Sequence, residues 1–163
     1  MATLEPVRTD HADALLTFEL ENRAYFVASV PDRGDDFFTH FDKRHASLLA
    51  WQVAGTNYFH VLVGHRGEVL GRVNLTEIAD GCAELGFRIA EKAAGRGLAT
   101  AGVNQACALA SKEYGLTRLR ARAANDNHGS RAVLARTGFT EIGAILLNGR
   151  PGTSYSRSLV DDG

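Results

Sequence analysis

The sequence predicts an α/β fold: one domain over residues 1–163, built as a mixed, mostly antiparallel sheet flanked by helices. Three observations carry this. Residues 58–90 hold three stretches of period-two alternation separated by short turn signals, which reads as an antiparallel meander. Segments of helical periodicity lie on both sides of that meander. Further alternating stretches follow the second helical region, so the sheet continues toward the C-terminus.

In chain order, residues 4–8 form a short strand that runs into Thr9-Asp10, a good helix cap, with Leu15, Leu16, Phe18 and Leu20 on the helix that follows. Pro31-Asp32-Arg33-Gly34 marks a turn. A second helix is expected over residues 35–52, with Phe37, Phe38, Phe41, Leu48, Leu49 and Trp51 as its apolar face. The meander strands cover 58–63, 69–78 and 82–90, divided by Gly64-His65-Arg66-Gly67 and Asp80-Gly81. A helix over 97–114 buries Val103, Ala106, Cys107 and Ala110 and stops at Gly115. The strand at 116–124 alternates Leu119, Ala121 and Ala123 with Arg118, Arg120 and Arg122, whose arginines read as a solvated face. A short helix at 130–137 and strands at 139–147 and 154–160 complete the order β-α-α-β-β-β-α-β-α-β-β.

Composition removes several classes of function. The 163 residues are 45% hydrophobic and 23% charged, typical of a globular domain. No apolar run reaches the length of a membrane span, and the N-terminus lacks the basic and apolar regions of a signal peptide, so a cytoplasmic protein with no membrane partner is expected. A formal net charge of −1 gives no field to recruit nucleic acid. Cys82 and Cys107 share no CxxC or Cys/His cluster and are expected to be buried thiols. The six histidines show no HExxH spacing, so no metal is expected, and without GxSxG a covalent nucleophile is not indicated.

The chemistry concentrates at one loop. Between the strand ending at Ala90 and the helix starting near Gly97 stand Gly95-Arg96-Gly97-Leu98-Ala99-Thr100. Two closely spaced glycines before a helix can aim backbone N–H groups at an anion, and Arg96 adds positive charge. GxxxxGK[ST] is absent, and the acidic residue that a dinucleotide fingerprint needs about 20 positions later is missing. A pyrophosphate loop for coenzyme A is the remaining candidate.

The run from Glu84 to Thr100 resembles the coenzyme-A-binding motif of the GNAT superfamily of N-acetyltransferases, Gln/Arg-x-x-Gly-x-Gly/Ala, with Ala94 departing at its first place. A second block, Asn125 to Phe139, is similar to the Asn-x-x-Ser-x-x-Val-Leu…Gly-Phe block of the ribosomal-protein alanine N-acetyltransferase branch. Glu21-Asn22-Arg23 and Leu147-Asn148-Gly149 also look like that branch. The resemblance implies the GNAT fold, acetyl-CoA as cosubstrate, and an amine acceptor that is a peptide N-terminus or a small amine. It implies that the phosphates rest on Gly95, Arg96, Gly97, Leu98, Ala99 and Thr100. The strands at 82–90 and 116–124 would splay to admit the pantetheine arm, met by backbone groups of Phe87 and Ile89 and, from the other side, by Asn127. A homodimer is a further implication.

Two side chains are candidates for the chemistry. Glu84, on the strand flanking the thioester, is the candidate base through water; a salt-bridged strand carboxylate is the competing reading. Ser130 resembles the family residue near the sulfur, where a hydroxyl would serve the departing thiolate; as the first residue of its helix it could instead be an N-cap. Tyr155 is a weaker alternative acid and reads as a packing aromatic. Ile145 and Leu146 stand where several family members carry a carboxylate, and Arg150-Pro151-Gly152 replaces a polar loop pair, so acceptor recognition should differ.

Overall fold

The structure is a computed structural model that describes residues 2–160; Met1 and residues 161–163 of the expected domain lie outside the described residues. The strands are β1 (Thr3–Pro6), β2 (Tyr58–Val63), β3 (Val69–Ala79), β4 (Cys82–Ile89), β5 (Arg118–Ala124), β6 (Thr140–Leu147) and β7 (Arg150–Ser158). The helices are α1 (Ala12–Glu21), α2 (Arg23–Val27), α3 (Asp35–Thr39), α4 (Phe41–Ala54), α5 (Leu98–Lys112) and α6 (His128–Arg136). One seven-stranded sheet runs in the order β1-β2-β3-β4-β5-β7-β6, antiparallel throughout except for the parallel pair β4–β5. The expected meander and mixed sheet are both present.

Alternation along the strands divides the interior into two layers. Val73, Leu75, Leu85, Leu119, Ala121 and Tyr155 face α5 and α6, where they meet Val103, Ala106, Cys107 and Leu134. Phe59, Val61 and Val69 face the other way, onto Leu15, Phe18, Phe26, Phe37, Phe41 and Leu48 of α1–α4. The arginines of β5 are exposed opposite buried Leu119, Ala121 and Ala123, as their alternation requires.

Several local expectations are corrected. A 3₁₀ turn over Thr9–His11 replaces the Thr9-Asp10 cap, because the Arg8 N–H donates to His11 Nδ1 at 2.9 Å and tightens the entry to α1. The helix expected over 35–52 breaks at His40, whose ring hydrogen-bonds the Asp36 carboxylate at 2.9 Å, and Phe37 and Phe41 pack edge to face across the break. Helix α2 was not anticipated; Phe26 folds it back onto Phe18. Trp51 is half exposed and Cys82 is only partly buried, so neither belongs fully to the core. Strand β7 starts at Arg150, although Pro151 and Gly152 argue against a strand there. The Pro151 carbonyl accepts from Asn125 N–H at 2.9 Å, and Asn148 and Gly149, both at positive φ, close a two-residue hairpin that sets the β6–β7 register.

The gap between β4 and β5 positions the site. Their register holds only from Cys82 to Glu84 against Arg118 to Arg120; beyond it the strands diverge while each stays paired to its outer neighbour. Because Ala90 N–H bonds Leu70 on β3, strand alternation turns the backbone groups of Ile89, Phe87 and Leu85 into the gap.

Candidate functional site

A cavity of about 990 Å³ opens at this gap and extends to both faces of the sheet. Its floor is β4 from Leu85 to Ile89, one end is the loop before α5, and its other wall is the chain from Tyr25 to Pro31. Phe87, Ile89, Gly95, Gly97, Leu98, Ala99, Thr100, Asn127 and Ser130 all line it. The fold thus brings to one place nine residues that the sequence spreads over more than forty positions.

The loop has the geometry an anion needs. Gly95 (φ 76°) and Gly97 (φ 75°) are both left-handed, a conformation that side-chain-bearing residues adopt at a cost, and a Cβ at either would meet nothing within 4 Å. Conformation, not crowding, therefore demands glycine. The first helical hydrogen bond of α5 is Ala101 N–H to Gly97 O at 3.0 Å, which leaves the N–H groups of Leu98, Ala99 and Thr100 at the open helix start. No acidic residue stands in that first turn and no side chain caps it. Arg96 is exposed between the glycines and lies outside the cavity wall. Behind the loop, buried Asn22 ties α1 to the approaching chain: its Nδ2 donates to Phe18 O at 2.8 Å and its Oδ1 accepts from Glu91 N–H at 3.0 Å.

Asn127, not Ser130, caps α6. Its Oδ1 accepts from Ser130 N–H at 3.2 Å, so the capping reading of Ser130 is corrected, and Ser130 lines the cavity. Tyr155 is buried on the α6 side, where its hydroxyl accepts from Arg131 Nε at 3.2 Å, outside the cavity wall. Glu84 is also absent from the wall. It sits at the root of the gap, where its Oε1 accepts from Arg122 Nε at 2.9 Å, and Arg122 is the partner that reaches the cavity.

The largest feature missed from sequence is electrostatic. Glu19, 1% exposed on α1, receives Arg72 at 2.9 Å, Arg33 at 3.0 Å and Arg88 at 3.3 Å. Burial alone would raise the Glu19 carboxyl, but the three cations override it and hold it below the ordinary carboxylate value. Burial lowers Arg72, against the pull of Glu19, and pushes Arg88 down to about 10, with the Arg33 charge adding to the effect; Arg88 stays cationic at neutral pH. Arg33, Arg72 and Arg88 all line the cavity. A charged residue at a buried strand position with apolar neighbours, such as Arg72 between Gly71 and Val73, is the signal that could have flagged them.

Residues 2–140 match the family model described as the acetyltransferase (GNAT) domain. Comparison with curated proteins finds no match. Among solved structures, the chain is similar to the ribosomal-protein-S5-alanine acetyltransferase of Vibrio fischeri, with a TM-score of 0.91 and 20% identity over 99% of this chain and 98% of that one. RimJ of Mycobacterium smegmatis, in complex with CoA-disulfide, has a TM-score of 0.86 and 24% identity over 96% and 81% of the two chains. A spermidine N-acetyltransferase of Vibrio cholerae, in complex with CoA and spermine, has a TM-score of 0.79 and 18% identity over 97% and 95%. At such identities these likenesses speak for the fold.

Proposed function

This chain belongs to the acetyltransferase (GNAT) domain family, and from that premise we propose that it transfers the acetyl group of acetyl-CoA directly to the α-amine of a protein N-terminus. The observation that carries the reading is the opening of the α5 N-terminus and the β4–β5 gap into one cavity. Phosphates at Gly95–Thr100 and a thioester beside Ile89 are thereby reachable by one extended cofactor.

In this mechanism a neutral amine attacks the thioester carbonyl, and the Ile89 N–H, turned into the gap, stabilises the oxyanion. Collapse breaks the carbon–sulfur bond; the Ser130 hydroxyl supplies a hydrogen bond or proton to the leaving thiolate. The proton lost by nitrogen passes through water toward Glu84 at the root of the gap. The products are the N-acetyl compound and free coenzyme A. Only the neutral amine attacks, which favours an α-amine: with a pKa near 7.7–8.0, roughly a tenth is neutral at pH 7, against a few lysines per ten thousand.

The names of the neighbours leave room for a polyamine acceptor, and small amines form the second reading. Release of thiol from acetyl-CoA, followed with Ala- and Ser-starting peptides, their N-blocked forms and small amines, separates these. Free peptides should turn over and blocked ones should not. Equal turnover of the two would remove the α-amine reading, and coenzyme binding without release on every amine would leave a binding module.

A further inference from the structure

The cavity wall has a charge pattern that acetyl transfer alone does not account for. Among the described residues it holds six arginines (Arg33, Arg72, Arg88, Arg122, Arg136 and Arg150) and no carboxylate. Arg122 and Arg150 are matched by Glu84 and Asp126. Arg33, Arg72 and Arg88 share the single Glu19, so this cluster carries an excess of two positive charges.

The cluster lies on the α1 side of the sheet. Arg72 and Arg88 are direct partners across β3–β4, and their side chains project to the α1 face, opposite the face that carries α5 and α6. Arg88 lies over the Phe26 ring at 4.5 Å and Arg33 over the Phe37 ring at 4.8 Å, so aromatic faces hold both guanidinium planes. The wall they form continues into the segment from Tyr25 to Pro31.

Two buried polar atoms in that wall have no partner. Arg72 Nε, on a side chain 5% exposed, donates to nothing, and Asn74 Oδ1, on the same strand face, accepts from nothing. A buried polar atom without a partner is costly unless something fills it. Both atoms are closed to solvent, so an anion in the cavity meets the cluster at the more open Arg33 and Arg88.

We propose that Arg33, Arg72 and Arg88 form an anion subsite in the acceptor half of the cavity, so that the preferred acceptor is an α-amine bearing a nearby carboxylate. This rests on the acetyltransferase reading and narrows it. An acidic N-terminal peptide segment and a free amino acid share this chemistry, whereas a polyamine is opposed by the excess positive charge.

The test compares Ala-Asp-Ala-Ala amide, its Asn and Lys counterparts, free alanine and aspartate, and spermidine, at saturating acetyl-CoA. The Asp peptide should exceed the Lys peptide at least tenfold in kcat/KM, chiefly through KM, and the gap should narrow with salt. Turnover of the free amino acids above the Asp peptide would name the small molecule as the source of the anion; the reverse order would name the peptide. Equal use of Asp and Lys peptides, or spermidine as the best acceptor, would overturn the subsite while leaving acetyl transfer standing. Binding of the same peptides to the protein loaded with coenzyme A, measured by calorimetry, reads the preference without turnover. If no amine reacts yet the Asp peptide binds better, the subsite survives and the transfer reading falls; with no binding preference the subsite falls as well. Arg88→Gln should cut the Asp-over-Lys ratio at least fivefold with acetyl-CoA KM unchanged; the more exposed Arg33→Gln repeats the test should Arg88→Gln fail to fold. A rise in acetyl-CoA KM with the ratio intact would assign the arginines to the coenzyme and overturn the proposal.

Discussion

Ser130 and Glu84 illustrate how much of a residue's role is decided by its neighbours. Asn127 takes the capping position of α6, so the Ser130 hydroxyl is not needed as its cap; Glu84 is engaged by Arg122 and absent from the cavity wall, so its proposed role as base runs through water. The two roles give different kinetic signatures. Glu84→Gln should depress turnover chiefly below about pH 8, where the amine still has a proton to lose, whereas Ser130→Ala should lower kcat roughly 10- to 100-fold across the whole pH range. Neither should change acetyl-CoA affinity. Rate profiles from pH 6 to 9 check both: a pH response in Glu84→Gln parallel to the parent returns Glu84 to a structural ion pair, and an unchanged kcat in Ser130→Ala removes its part in thiolate departure. The left-handed glycines and open helix start of the loop were legible in sequence because glycine spacing is a local signal. The arginine cluster was not, since Glu19 and Arg88 lie 69 positions apart and meet only through the packing of α1 on β3 and β4.

At the scale of elements, the loop proposed to hold the coenzyme is a strand end, a 3₁₀ turn over Glu91–Ala93 and a helix start, held from behind by Asn22. The sheet order was readable because period-two alternation needs only neighbouring residues; the break at His40 and the extra helix α2 were not, because they depend on a side-chain bond to Asp36 and on the contact of Phe26 with Phe18. The loop makes a sharp demand at Gly97, whose φ of 75° forbids an easy replacement. Gly97→Glu adds backbone strain of about 1 kcal/mol or more and sets a carboxylate among the N–H groups that should meet phosphate. Acetyl-CoA at 100 times its Kd should stabilise the parent by about 2.7 kcal/mol, a rise of roughly 5–10 °C in Tm. Thermal unfolding with and without ligand should show this rise in the parent and none in Gly97→Glu. An equal rise in both would move the coenzyme to another part of the cavity.

Across the whole molecule, the formal charge of −1 conceals an uneven distribution, with six arginines and, among the described residues, no carboxylate on the cavity wall. Net charge therefore says nothing of the ligand, and stability against pH must be argued from individual buried groups. His60 on β2 is fully buried in the layer beneath α5. Its Nδ1–H donates to Val73 O at 3.1 Å, since a carbonyl can only accept, and its Nε2 therefore accepts from the Tyr114 hydroxyl at 2.6 Å. Acceptance at Nε2 requires the neutral ring. Burial lowers the pKa of His60 below its ordinary 6.5, and burial likewise pushes Tyr114 up to about 12, so the donor keeps its proton. The unfolded chain then binds a proton at His60 before the folded one does. Its contribution is full above pH 6.5 and is lost as pH falls from there toward the folded value. The parent should lose stability between pH 7 and pH 5, as read by denaturant unfolding. His60→Leu should be about 1–3 kcal/mol less stable at pH 7, because it strands the Tyr114 hydroxyl, and should show a shallower loss over the same interval. Parallel curves for the two proteins would mean that the acid sensitivity arises at another histidine.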